Sequence, residues 1–310
     1  MRRNTKRSPH GSHGFDRKRS SVTPPSLRIS QLFSRQRIAA PLVIFCLVTG
    51  IAPCLQTPAA AEETSVNYSY FSEFGTGAYD TDDRTGTAIN IPFSHQLRPI
   101  QDSQAGLKLL LPITVGILSV NPTDATGTTV PTDFSILSVV PGLEIQIPVH
   151  QNWTLKPFGK IGIAWNTSGD ESALVYSTGL KSSVEFPWRD FIFTLGNALI
   201  LDGDKVSGEE RNDFTSVAIG LDAFYPLGMA LRGRETHIGG WIGYYYYLDD
   251  LAFERAGMEP LRVDHEFEIA ITFGTYTPIP FGFLKFKRIG IAYRFSGDLK
   301  VYRLVFEFPF

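Results

Sequence analysis

The chain has 310 residues, 43% hydrophobic and 19% charged, with a mean hydropathy of −0.03 and a formal net charge of −2. These averages hide unlike parts: residues 1–37 carry ten Lys/Arg and one acid, residues 38–61 carry no charge, and from Glu62 onward 19 basic and 30 acidic residues give −11. An acidic main part excludes nucleic acid as the main partner, because neutralising phosphates requires a clustered basic surface.

Taken in chain order, the leader comes first. Ile38–Ile51 is a 14-residue apolar run behind the basic stretch, and Ala59-Ala60-Ala61 follows it. The run is shorter than the ~20 residues a spanning helix needs, and it fits a signal-peptide core with small residues at the cleavage site. Residues 1–61 are therefore expected to be a basic extension plus cleavable signal peptide, and residues 62–310 the mature domain. Both cysteines, Cys46 and Cys54, lie in the leader. The mature domain then has no disulfide, no thiolate metal site and no cysteine nucleophile.

Beyond Glu62 the recurring pattern is alternation with period two, in stretches of ten or more residues broken by turn-rich pieces. Twelve stretches are predicted as strands: 64–75, 84–94, 104–119, 132–148, 152–165, 173–186, 189–202, 213–226, 235–248, 262–275, 281–296 and 299–310. Such long alternating segments predict an all-β fold, a transmembrane antiparallel up-and-down barrel of about 12 strands. A soluble β-sandwich also alternates, but its strands are typically five or six residues and its core is dry.

Three stretches carry the pattern most clearly. In 152–165, Trp153, Leu155, Ile161, Ile163 and Trp165 share one face, opposite Lys156, Phe158 and Lys160. The two tryptophans lie ~40 Å apart along a strand, or roughly 30 Å along the membrane normal after a ~40° tilt. Trp153 and Trp165 are thus expected at the two membrane interfaces. In 262–275, Val263, His265, Phe267, Ile269, Ile271 and Phe273 oppose Asp264, Glu266 and Glu268. In 299–310, Tyr302, Leu304, Phe306, Phe308 and Phe310 oppose Arg303, Val305 and Glu307. Two stretches break parity: 132–148 requires a bulge near Pro141-Gly142, and in 281–296 Lys285 and Lys287 fall on the apolar face.

The connections alternate in length. Asn121–Pro131, Asp202–Asn212 and Asp249–Leu261 are read as long outer loops, whereas His150–Asn152, Pro187–Trp188 and Thr277–Pro280 are read as short periplasmic turns. This asymmetry follows the barrel rule.

The final residues, Arg303 to Phe310, resemble the outer-membrane assembly signal, with Tyr302, Phe306, Phe308 and Phe310 as its aromatics. Val305 stands where a glycine is common, and Pro309 departs from the pattern. Twelve strands behind a signal peptide are similar to the translocator barrel of autotransporters of Gram-negative bacteria. That resemblance implies residence in the outer membrane, with its lipids and assembly machinery as partners, and porin-like architecture. Only Glu62 and Glu63 precede the first predicted strand, so a solitary barrel with neither passenger nor plug helix is expected.

Inward parity falls on Lys156, Lys160, Lys181, Glu185, Asp222, Trp241, Asp264, Glu266, Glu268, Arg288 and Arg294. These charges either cross-link to fill the bore or line a water path. No catalytic, cofactor or metal site is assigned. None of His95, His150, His237 and His265 sits in the His-x-Ser arrangement of outer-membrane lipid hydrolases. Asp82-Asp83, Asp249-Asp250 and Asp264-His265 mimic a protease rim only superficially. Asp202-Gly203-Asp204 lacks a calcium-loop layout. The expected function is a structural or passive pore-forming surface protein, with a barrel enzyme (lipid hydrolase or protease) or a surface adhesin as alternatives.

Overall fold

The computed structural model describes residues 67–310, apart from 74, 81–83, 102–103, 121–131, 169–170, 209, 256–257, 282–283 and 298. The leader and its cleavage site, like Asp82-Asp83, lie outside the described residues. The first described element is a short helix, α1 (Tyr68–Glu73). Thirteen strands follow: β1 (Thr76–Asp80), β2 (Arg84–Arg98), β3 (Gly106–Val120), β4 (Thr132–Val139), β5 (Gly142–His150), β6 (Trp153–Asn166) and β7 (Ser172–Trp188), then β8 (Phe191–Val206), β9 (Arg211–Leu231), β10 (Arg234–Arg255), β11 (Met258–Phe281), β12 (Leu284–Ser296) and β13 (Leu299–Val305).

Every pairing is antiparallel between neighbours, and β1 pairs with β13, for example Ala78 with Tyr302, which closes the sheet. β4 and β5 are two halves of one stave, because β3 and β6 each pair with both. The break falls at Val140-Pro141, where the bulge was expected. Val140 N–H still reaches the Pro112 oxygen (3.2 Å), and Pro141 accepts from Ile161 N–H (2.9 Å), so the wall stays stitched. The described residues thus form a closed up-and-down barrel of twelve staves. Closure leaves no unpaired edge along the paired length, which a strand surrounded by hydrocarbon requires.

The two barrel faces differ as alternation demands. Outward side chains form a continuous apolar band; one row runs from Ile242 through Ile269 and Tyr293 to Tyr302 across four strands. Ile291 is 66% exposed and Ile161 58%. Soluble monomers rarely leave a contiguous apolar band facing water, whereas lipid tails accommodate one.

Three sequence expectations change. The described part of the stretch 64–75 is not strand but α1, turned at Gly75 (φ +84°), so β1 takes the first stave and the expected absence of a plug helix falls with it. Asp202–Asn212 and Asp249–Leu261 are largely strand, because β8, β9, β10 and β11 extend past the predicted boundaries. β13 ends at Val305, so Phe306–Phe310 leave the wall. In the eleventh stretch Lys287 keeps outward parity with Ile289 and Ile291; the irregularity lies in β11, between Gly274 and Ile279.

Candidate functional site: the barrel interior

α1 lies inside the bore, in the half nearer the β6–β7 and β8–β9 connections. Its start is capped by Asn67, whose Oδ1 accepts from Tyr70 N–H and from the Ser69 hydroxyl, both at 2.8 Å. Six residues are too few to hold a helix in isolation, so packing must hold it. Tyr68 (2% exposed) and Phe71 (4%) enter the core formed with Ala88, Ile136, Val175, Phe214, Leu251 and Val301. Gly116 makes room, since a Cβ there would collide with the Phe71 ring. Polar contacts pin the rest. Ser69 N–H donates to Asp204 (3.2 Å), Asn90 Nδ2 donates to the Ser72 oxygen (3.3 Å), and Lys160 forms an ion pair with Glu73.

Below and beside α1 runs a charge network. Glu266 accepts from Tyr70 (2.8 Å), Tyr247 (2.6 Å) and Arg294 (3.2 Å); Glu268 accepts from Trp241 Nε1 (2.8 Å), Arg294 Nε (2.8 Å) and Arg303 (2.5 Å). Arg294 also lies 3.9 Å from the Tyr245 ring centre, and Arg288 grips both Asp222 oxygens at 2.8 and 3.0 Å. Buried ions survive only when paired and hydrogen-bonded, and here each carboxylate has at least one guanidinium. Burial and the Glu266 carboxylate push the Tyr70 phenol well above its ordinary range, so it stays protonated and donates.

The half nearer the short turns is occupied by the tail. Phe306 stacks on Phe286 (4.8 Å), Glu307 lies 3.8 Å from Lys108, and Phe308 meets Trp241 edge-on (6.0 Å). Phe310 is 8% exposed and packs with Ala198, Ala218 and Tyr245. A Cβ on Gly196 or Gly220 would come within 2.5 or 2.6 Å of it. Lys156 donates to the Phe310 main-chain oxygen (3.1 Å) and Lys181 to that of Pro309 (2.8 Å).

Lys156, Lys160, Lys181, Asp222, Glu266, Glu268, Arg288 and Arg294 therefore all make interior contacts, as does Trp241. Glu185 keeps inward parity but is exposed at the short-turn rim. Asp264 differs: the register shift between Tyr246 and Leu251 turns Val263 inward instead. Asp264 is 59% exposed and bonds His265 at 2.5 Å. Trp153 and Trp165 sit on outward parity, with Trp153 Nε1 donating to Ser182 (3.0 Å). Tyr302 faces outward in β13, but Phe308 and Phe310 turn into the bore rather than onto the wall. Asp202 and Asp204 are buried strand residues, not loop ligands. Of the histidines, His95 and His150 are exposed, while His237 packs inside with Phe224 and Tyr276. Among the described residues no three His, Cys, Asp or Glu gather as metal ligands.

Sequence reasoning missed Tyr70, Tyr247, Arg303 and Glu73. Tyr247 and Arg303 share inward parity with Trp241 and Val305, a readable signal. Tyr70 and Glu73 were hidden by the helix.

No family model and no curated protein matches the chain. Among solved structures, the β domain of the Bordetella autotransporter BrkA is similar at 12% identity and TM-score 0.47, covering 74% of this chain and 92% of that one. Pseudomonas aeruginosa OccK5 (OpdH) is similar at 10% identity and TM-score 0.19, covering 76% of this chain and 97% of that one. The architecture rests on the chain's own strand pairing, which closes the barrel.

Proposed function

We propose that this chain is an integral outer-membrane barrel, exported through a signal peptide within residues 1–61, that rests closed and acts as a structural surface protein rather than a standing pore. Its partners on this reading are outer-membrane lipids around the apolar band and the assembly machinery that inserts it. The β8–β9 and β10–β11 ends of the barrel then face outward, and the short turns after β5, β7 and β9 face the periplasm. One observation carries the resting-closed statement: two segments of the chain itself, α1 and Phe306–Phe310, pack inside the two halves of the bore. The pore-forming version of the sequence reading requires both to leave.

Planar-bilayer recording tests this. The purified chain is expected to give rare or no channel steps, and a variant lacking residues 67–73 and 306–310 to give frequent ones. Steady conductance by the unmodified chain would overturn the closed reading. Heat-modifiable migration on a gel reports whether each variant has assembled.

A further inference from the structure

The place taken by the Phe310 ring is shaped and charged beyond what a tail needs. Its floor is Gly196 on β8 and Gly220 on β9, adjacent in the sheet, which present bare backbone to the ring. Tyr245 stacks over it at 6.4 Å with an interplanar angle of 18°, and Ala198 and Ala218 complete the wall. At its head stand Lys156 and Lys181, direct cross-strand partners on β6 and β7. Both ammonium groups are answered by main-chain oxygens of the tail. Among the described residues neither makes an ion pair with a side-chain carboxylate. The buried Glu144 carboxylate attracts both from beyond ion-pair distance, and two adjacent ammonium groups against that one carboxylate still favour an anion between them.

We propose that this seat is a binding site for small aromatic carboxylates, and that the Phe308–Phe310 segment is an exchangeable internal occupant mimicking such a ligand. The ring of the ligand replaces Phe310 on the glycine floor, and its carboxylate bridges Lys156 and Lys181. Binding and tail release are then mutually exclusive with the seated state, so the ligand favours the open bore in proportion to its preference for the vacated seat. The proposal rests on the resting-closed reading and names what unseats one of its two plugs.

The probe is 3-phenylpropionate, with propionate (no ring) and 2-phenylethanol (no charge) as controls, measured by equilibrium dialysis on the full chain in detergent. Phe310→Ala, with the floor vacated, is expected to bind one equivalent at least tenfold more tightly than the unmodified chain and tenfold more tightly than it binds either control. Adding Lys156→Met and Lys181→Met, or adding Gly196→Val, to that variant is expected to weaken binding at least tenfold. Should the Phe310→Ala variant not assemble, Phe308→Ala, which keeps Phe310 but removes the tail's contact with Trp241 and so loosens its seating, is expected to bind the probe more tightly than the unmodified chain. An assembled variant that binds no better than the unmodified chain, or that ignores loss of both lysines, overturns the seat while leaving the closed reading intact. Steady conductance without any ligand overturns the closed reading, and dialysis still decides the seat.

Discussion

The sharpest test of the plugged bore is Gly116→Val. Gly116 faces inward on β3, and the Phe71 ring lies where its Cβ would stand. Carbon atoms approach no closer than about 3.5 Å without repulsion, so the ring must leave its place rather than adjust by a few tenths of an ångström. Overpacking of this kind costs about 1–3 kcal/mol if the helix stays. If instead the Phe71 ring swings out while the helix stays seated, the seated state forfeits about 1.5–3 kcal/mol of apolar burial. Either route moves the seated-to-released balance of α1 by about ten- to a hundredfold, since 1.4 kcal/mol is a factor of ten. The wall is untouched, because glycine and valine donate the same backbone hydrogen bonds. Channel-step frequency in a planar bilayer is therefore expected to rise by about that factor, with unchanged heat-modifiable migration. Gly159→Val is the control: a Cβ there meets nothing within 4 Å. An assembled Gly116→Val barrel as quiet as the unmodified one would refute the reasoning.

Three further outcomes follow from the same geometry. Arg294→Met strips Glu266 of its guanidinium and leaves Glu268 only Arg303; breaking a buried pair costs about 3–5 kcal/mol, read as a lower urea midpoint. Adding Glu266→Gln to Arg294→Met, which leaves Glu268 paired with Arg303, is expected to restore much of that loss. Ile291→Lys places a charge in the apolar band and should destabilise insertion by about 2–4 kcal/mol if the position is near the midplane; equal stability in lipid would argue that this face does not meet hydrocarbon. Variants keeping a single tryptophan should separate by face: brominated lipid quenches Trp165, on the outer surface, and spares Trp241, which is 3% exposed inside the bore.

The staves were legible because alternation is a property of each strand alone. Ile161, Ile163 and Trp165 sit outside and Phe158 and Ala164 inside, as period two requires. Most of the interior charges followed from the same parity. Asp264 failed because a register shift between two strands resets parity, and no single strand records its neighbour's extra residues. The loop boundaries failed because Asp202, Gly203 and Asp204 are poor strand formers. They extend β8 nonetheless, because pairing with Asn212, Asp213 and Phe214 satisfies their backbones and α1 supplies a donor for Asp204.

The two ends were misread together, and one cause accounts for both. Had 64–75 been a strand continuous with β1, it would have lain beside the end of β13 and paired with residues 306–310. Instead the chain before Thr76 turns into the bore at Gly75, and the last partner β1 offers is Thr76, opposite Leu304. On the other side pairing with β12 stops at Gly290, opposite Val305. Past that point the tail has lost its neighbour on the β1 side; β12 continues to Leu284 on the other side, but Pro309 has no N–H to contribute to that ladder. Its backbone oxygens still need donors, and Lys156 and Lys181 provide them inside. The turn of the chain into the bore at Gly75 thus removes one of the two neighbours that would have held residues 306–310 in the wall. Alternating aromatics at Tyr302, Phe306, Phe308 and Phe310 read as a strand in sequence, because the pattern does not register the loss of a neighbour.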